Sequence, residues 1–503
     1  MAGTDAQSGT TQEPSLKRVM GPGLLLLFVV GDILGTGIYA LTGKVANEVG
    51  GAVWVPFLVA FLIALLTGMS YLELVTKYPH AAGAALYTHK AFGIQFLTFM
   101  VAFTVMSSGI TSAATASRAF AANFAEAFEL DLGTGIGITL IALAFMAVVA
   151  AINLRGVSES VKLNVLLTCV ELTGLLIVIG IGLWALGFGN GDFGRITEFE
   201  TGNRTALGGV IVATTLAFYA MVGFEDSVNM AEECKEPSRI FPKVLLSGLI
   251  ITGTIYVLVS ITAVALVPTD QLGAGDTPLL KVVEMGAPGF PTDIFAFITM
   301  FAVANSALIN MLMASRLLYG MARQGVLPPP LGRVHQRRRT PYIAIAFTTV
   351  LALGLIAFVG EVPELGGTTA LLLLAVFTVV NVAVLVLRRD TVSHKHFHTP
   401  TALPVIGAVA CGFLVTPWTD RNPQQYTIAG VLLAIGVGLW ALNHFAIRRL
   451  HTELPAEGAR GPTTIELCDV RVDHDRSVRN RKMTTDQGIG NVSRDDQHGS
   501  PIP

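Results

Sequence analysis

Residues 21–45 read GPGLLLLFVVGDILGTGIYALTGKV, and the whole fold can be worked out from this stretch. It is long and apolar enough to cross a bilayer as one helix, which takes about 20 residues. Its middle, however, carries Gly31, Gly35 and Gly37 and a lone charge, Asp32. Backbone polar groups cannot be left unpaired at bilayer depth. A Gly-Thr-Gly triplet there favours a local unwinding, because glycine adopts unusual backbone angles at little steric cost. Close helix–helix packing through small residues is the competing reading. A second stretch, residues 205–243, shifts the balance toward unwinding. TALGGVIVATTLAFYAMVGFEDSVNMAEECKEPSRIFPK is interrupted at Gly223, with Glu225 and Asp226 immediately after. Corresponding interruptions in two halves of a chain point to a transporter binding site near the bilayer midplane.

The rest of the chain fits a membrane setting. Of its 503 residues, 52% are hydrophobic and 14% charged, against roughly 25% charged in soluble domains. Mean hydropathy is +0.62. The charges leave long gaps: 18–44 (broken by Asp32), 48–73, 90–118, 131–155, 162–192 (broken by Glu171), 204–225, 243–270, 293–316, 339–361, 364–388, 395–420 and 421–448. These gaps predict an all-α polytopic membrane protein with 12 transmembrane helices. With a cytoplasmic N-terminus, 20 Lys and Arg fall in inside segments and 6 in outside segments. The bias predicts cytoplasmic N- and C-termini.

Residues 1–20 are polar and lack the layout of a cleavable signal. They are expected to be a cytoplasmic tail. Residues 451–503 hold 16 charges without periodicity and are expected to form a disordered cytoplasmic tail. The net charge of −2 suggests no nucleic-acid partner. Cys169, Cys234, Cys411 and Cys468 are scattered, so neither a disulfide framework nor a zinc site is indicated. No cofactor is expected. Hydrolase, metalloprotease and P-loop signatures are absent, which argues against an enzyme. A channel would show a ring of charges or a filter loop, and neither is evident.

The first span enters from the cytoplasm and the sixth from outside, so two five-helix halves would form inverted repeats. Past the first break, the N–H groups of Thr36 to Ile38 and the positive helix end would attract a carboxylate. Carbonyls near Ile33 and around Tyr219 to Val222 would accept from an ammonium. A zwitterionic amino acid satisfies both sets.

GDILGTGIYALTG (31–43), GFEDSVNMAEECKEPSRIFPKVL (223–245) and NSALINMLMASRLLYGMARQGVLPPPLGRVHQRRRTPYIAI (305–345) resemble signatures of the amino acid–polyamine–organocation (APC) transporters. The likeness runs over roughly residues 17–449. It implies a five-plus-five inverted-repeat core in residues 21–390, two added helices in 391–450, and secondary transport of amino acids or related amines across a bacterial inner membrane. By the same resemblance, Ile33, Thr36 and Gly37 match substrate contacts of the first helix, and Tyr219, Ala220 and Val222 those of the sixth. Tyr219 falls where an aromatic often covers the substrate. Glu225 matches an acidic position linked to protons or cationic substrates. Met106, with Ser107 and Gly109, falls where side-chain selectivity is set.

Proton-coupled relatives often carry a lysine in the fifth helix, where this chain has Glu171. That residue lies nine positions past Lys162, about 13 Å along a helix and near the midplane of a ~30 Å core. Intramembrane carboxyls are functional by default. Glu171 and Ser306 are therefore the candidates for coupling to H⁺ or Na⁺, although Ser306 and Asn305 could also bond between helices. Asp32 could support the unwound segment, and Asp226 reads as structural. His394, His396 and His398 read as a solvated loop ahead of a metal site, and Arg337-Arg338-Arg339 as a topology anchor near anionic lipid. The alternative to proton-coupled amino acid transport is amino acid/polyamine antiport, with Glu225 or Glu171 meeting a second cationic group.

Overall fold

The structure, a computed structural model, describes residues 20–79, 83–130, 135–155, 160–323, 327–335, 338, 340–359 and 361–453. The expectations for residues 1–19, Arg337, Arg339 and the 454–503 tail lie outside the described residues.

The chain folds into α1 (Pro22–Ile33), α2 (Thr36–Val49), α3 (Trp54–Lys77), α4 (Gly83–Phe92), α5 (Gln95–Ala127), α6 (Ile136–Arg155), α7 (Ser160–Gly187) and α8 (Ala206–Ala217). Then come α9 (Pro237–Leu266), α10 (Thr269–Gly273), α11 (Pro278–Gly286), α12 (Thr292–Arg323), α13 (Tyr342–Phe358), α14 (Val362–Leu387), α15 (Ala402–Val415) and α16 (Pro423–Glu453). Among the described residues the only extended pairing is one isolated bridge, Met20 with Cys234. It ties the start of α1 to the segment that follows the second helix break.

Ten stretches among the described residues are long and apolar enough to cross a membrane. They coincide with ten of the twelve charge-free gaps. The other two gaps hold shorter apolar helices, α13 with 17 residues and α15 with 14. At 1.5 Å per residue these run about 25 and 21 Å, short of a ~30 Å core. The reason is local. The 395–420 gap includes Pro400 before α15 and the Pro417 turn after it, which are free of charge but not helical.

Large apolar side chains crowd the outer surface, among them Leu140, Leu166, Trp184, Leu207, Val350 and Val409. An exposed apolar surface of this extent marks contact with lipid. Inside, the two longest helices, α5 and α12, pack along one another beside α14. Buried hydroxyls bond back to their own helix, as Thr111 Oγ1 does to the Ser108 carbonyl (2.9 Å). Others bridge helices: Ser70 Oγ donates to Asn381 Oδ1 at 2.6 Å, and Asn381 Nδ2 donates to Thr67 Oγ1 at 3.1 Å. Such bonds hold helices together where apolar surface gains nothing by leaving lipid.

The end of α3 is strapped to the α14–α15 loop. Arg388 grips the buried Glu73 with two bonds of 2.9 Å, and the Thr399 N–H donates to the same carboxylate at 2.8 Å. His394 Nε2 lies 3.1 Å from the Thr76 carbonyl. The histidine loop is thus part of this strap. Among the described residues no group of three or more His, Cys, Asp or Glu is arranged to hold a metal ion.

Candidate functional site

The first apolar stretch is two helices. α1 stops at Ile33, Leu34 (φ −63°, ψ 107°) and Gly35 (φ −155°, ψ −159°) are extended, and α2 starts at Thr36. The last carbonyls of α1 and first N–H groups of α2 lose their helical partners there. Gly35 needs no special φ, and a Cβ there would lie 2.8 Å from Ser306 Oγ, a contact that turning the serine hydroxyl would relieve. Ser306, partly exposed on α12, is thereby placed at the first break.

The second break is built differently. α8 tightens into a 3₁₀ turn at Phe218–Met221, Val222 is extended (ψ 147°), and Gly223 takes φ +122° before a second 3₁₀ segment at Asp226–Glu233. Only glycine adopts that φ readily. The Gly223 N–H donates to Glu225 Oε2 at 2.9 Å, so Glu225 holds its own break in shape. Phe224, next in the chain, is buried edge-on against Tyr71 (5.8 Å between ring centroids) and tilted against Phe377 (5.2 Å). This anchor lets the break turn without drifting.

The two breaks touch. A Cβ on Gly37 would sit 2.4 Å from Ala220 Cα, and one on Gly223 would sit 2.4 Å from the Asp32 carbonyl oxygen and 3.1 Å from Ile33 N. Each glycine is where it is because another backbone occupies the space a side chain would need. Ile33, Thr36, Gly37, Tyr219, Ala220 and Glu225 are buried in this junction, and Val222 is partly exposed. Tyr219 is oriented from outside the breaks, with its hydroxyl 3.2 Å from Ser112 Oγ on α5. A Cβ on Gly366 of α14 would meet its ring at 3.2 Å. Met106 is buried on the same helix as Ser112, six residues before it.

One expectation about the junction changes. The Ile33 carbonyl is not free, because the Tyr256 hydroxyl of α9 donates to it at 2.6 Å. The carbonyl orphaned by the break already has a donor in this conformation, and burial requires one.

Glu171 on α7 is fully buried, and both its carboxylate oxygens lack a hydrogen-bond partner. The Tyr39 hydroxyl of α2 donates to its backbone carbonyl at 2.9 Å. One turn earlier, Thr168 Oγ1 is also buried and unpartnered. A Cβ on Gly31 would fall 1.8 Å from that atom, so this face of α7 presses on α1 beside Asp32. Tyr39, Ser112, Thr168 and Tyr256 were not picked out by sequence reasoning. The available signal was a tyrosine or hydroxyl in mid-span, but such residues are common glue between membrane helices.

A bundle of apolar helices, two of them broken where they meet, is the architecture expected of a membrane transporter. In keeping with this, the amino acid permease family model matches residues 25–439. The chain belongs to that family, whose members are transporters and not enzymes. It is 26% identical over 469 residues to the branched-chain amino acid permease BcaP of Bacillus subtilis (strain 168), an alignment covering 90% of this chain and 97% of that protein. It is also 26% identical to the methylthioribose transporter of the same organism, covering 89% and 97% of the two chains. Cationic amino acid transporter 9, chloroplastic, of Arabidopsis thaliana is 27% identical over 344 residues, covering 65% of this chain and 59% of the plant protein.

Proposed function

We propose that this protein carries amino acids across the cell membrane by secondary active transport with alternating access, and that the coupling ion is H⁺. The contact between the two breaks carries this reading. Gly37 against Ala220, and Gly223 against Asp32 and Ile33, bring the start of one half-helix beside the end of another. That junction offers N–H donors and carbonyl acceptors a few ångströms apart, the pairing a zwitterion requires. Ile33, Thr36, Gly37, Tyr219, Ala220 and Val222 would meet the amino and carboxyl groups, Met106 the side chain, and Tyr219 would cover the substrate. The Tyr256 hydroxyl on the Ile33 carbonyl would be displaced by the substrate ammonium, or would share that oxygen with it. Glu171 and Ser306 would serve ion coupling.

In this proposal α13 and α15 also cross, giving twelve spans. Residues 21–390 form the five-plus-five inverted repeat, 391–450 add two helices, and both termini face the cytoplasm of a bacterial cell. The substrates for which the relatives are named, branched-chain amino acids for BcaP and cationic amino acids for the Arabidopsis protein, support the substrate class.

A second reading, exchange of cationic amino acids or amines, is favoured by one observation. Asp32, Glu225 and Asp226 gather at the junction, and no basic side chain among the described residues acts on Asp32. Uptake of labelled leucine, arginine and putrescine into proteoliposomes, with and without an inside-alkaline pH gradient, separates the two. Accumulation that needs the gradient supports symport. Uptake that ignores the gradient and requires internal substrate overturns it in favour of exchange.

A further inference from the structure

Glu171 is not alone in the membrane. Asp32, at the last turn of α1, lies near enough to act electrostatically on Glu171. Its Oδ2 is buried without a partner, as are both oxygens of Glu171 and the hydroxyl of Thr168 one turn before it. Thr168 and Glu171, three positions apart, share a face of α7. That face is pressed onto α1 so tightly that Gly31 has no room for a Cβ. Four unpartnered polar oxygens thus lie on the two helices that meet at this contact.

The groups facing the pair from the other elements are Tyr39 of α2, Tyr256 of α9, and Glu225 and Asp226 past the second break. Among the described residues no lysine, arginine or histidine acts on either carboxyl. Two carboxylates in an apolar interior without a cation cannot both be ionised. One of them must hold a proton, and the second can be charged or neutral.

We infer that Asp32 and Glu171 form a carboxyl pair that binds and releases one proton as the helices rearrange. This rests on the transport reading above and adds Asp32 and Thr168 to the coupling machinery. A proton arriving at the pair converts it from −1 to 0, with Thr168 Oγ1 on the same face of α7 as Glu171 and without a partner of its own. The location ties the proton to the substrate. Asp32 immediately precedes Ile33, and its carbonyl is the atom against which Gly223 packs. Any movement of the second break past the first must therefore move the α1 end that carries Asp32 relative to α7.

The test compares wild type, Asp32→Asn, Asp32→Glu and Glu171→Gln in proteoliposomes, using two readouts. The first is labelled amino acid accumulation driven by a pH gradient, as a ratio to gradient-free counterflow. That ratio is expected to lose its dependence on the gradient in Asp32→Asn and Glu171→Gln and to keep it in Asp32→Glu. The second is the carboxylic-acid C=O band in pH-difference infrared spectra, recorded without substrate. The wild type should show a titrating carboxyl whose band shifts in both Glu171→Gln and Asp32→Asn. An unshifted band in Asp32→Asn, or its undiminished gradient response, overturns the pair. So does accumulation driven by a Na⁺ gradient at constant pH. An intact titrating pair in a protein that moves no amino acid overturns the transport reading instead, so the two failures are distinguishable.

Discussion

Replacing Gly223 by alanine strains the second break in two separable ways. At φ +122° an L-residue is held in a sparsely populated region, which costs about 1–3 kcal/mol. The added Cβ would also lie 2.4 Å from the Asp32 carbonyl oxygen, where ordinary contact begins near 3.4 Å. The obstacle is backbone, so one half-helix must move by about 1 Å. Forced overpacking of this kind costs a further ~1–3 kcal/mol. The sum, about 2–6 kcal/mol, lowers the population of the paired-break geometry by at least twentyfold, at about tenfold per 1.4 kcal/mol. Gly37→Ala carries only the steric part, because its Cβ would meet Ala220 Cα at 2.4 Å from an ordinary helical φ. Gly180→Ala in α7 has nothing within 4 Å and should gain the ~0.5–1 kcal/mol by which alanine exceeds glycine in a helix. Amino acid uptake normalised to protein content, together with thermal melting of the detergent-solubilised protein, should rank the variants Gly180→Ala, Gly37→Ala, Gly223→Ala from best to worst. Wild-type uptake and melting in Gly223→Ala would refute the claim that the two breaks are in backbone contact.

Two other substitutions probe the supports of the site. Tyr256→Phe removes the 2.6 Å donor to the Ile33 carbonyl and leaves a buried acceptor unpaired, at about 1–3 kcal/mol; a lower melting temperature, with substrate giving a larger stabilising shift than in wild type, is the expected outcome. Arg388→Ala strands Glu73, which is 2% exposed, and breaking a buried pair by removing one partner costs about 3–5 kcal/mol; a clear loss of thermal stability checks it, and Glu73→Gln with Arg388→Ala should recover part of that loss.

What could be read from the sequence depended on how local each cause is. The breaks were legible because Gly35, Gly37 and Gly223 interrupt apolar runs at corresponding places in the two halves of the chain. The start of the second half-helix could be placed within Thr36 to Ile38 for the same reason, and α2 begins at Thr36. The length of α15 could not be read from gaps between charges, because Pro400 and Pro417 flank it without carrying charge. Glu171 was visible as the one ionisable residue in its span. Its relation to Asp32 was not, since it depends on which faces of α1 and α7 meet, and that is set by Gly31 against Thr168 across more than a hundred residues. Tyr256 was invisible for a similar reason. Its role exists only because the Ile33 carbonyl is orphaned next to it in space.

The central claim is that an amino acid sits where the two broken helices meet. Val222, extended and partly exposed in the second break, is the place to measure it. With Cys169, Cys234, Cys411 and Cys468 replaced by serine or alanine, Val222→Cys can be titrated with a small thiol reagent in proteoliposomes. The account predicts that saturating amino acid slows labelling of this cysteine and leaves a control cysteine at the lipid-facing Leu166 unchanged. Labelling of Val222→Cys at the same rate with and without every amino acid that the protein transports would contradict it.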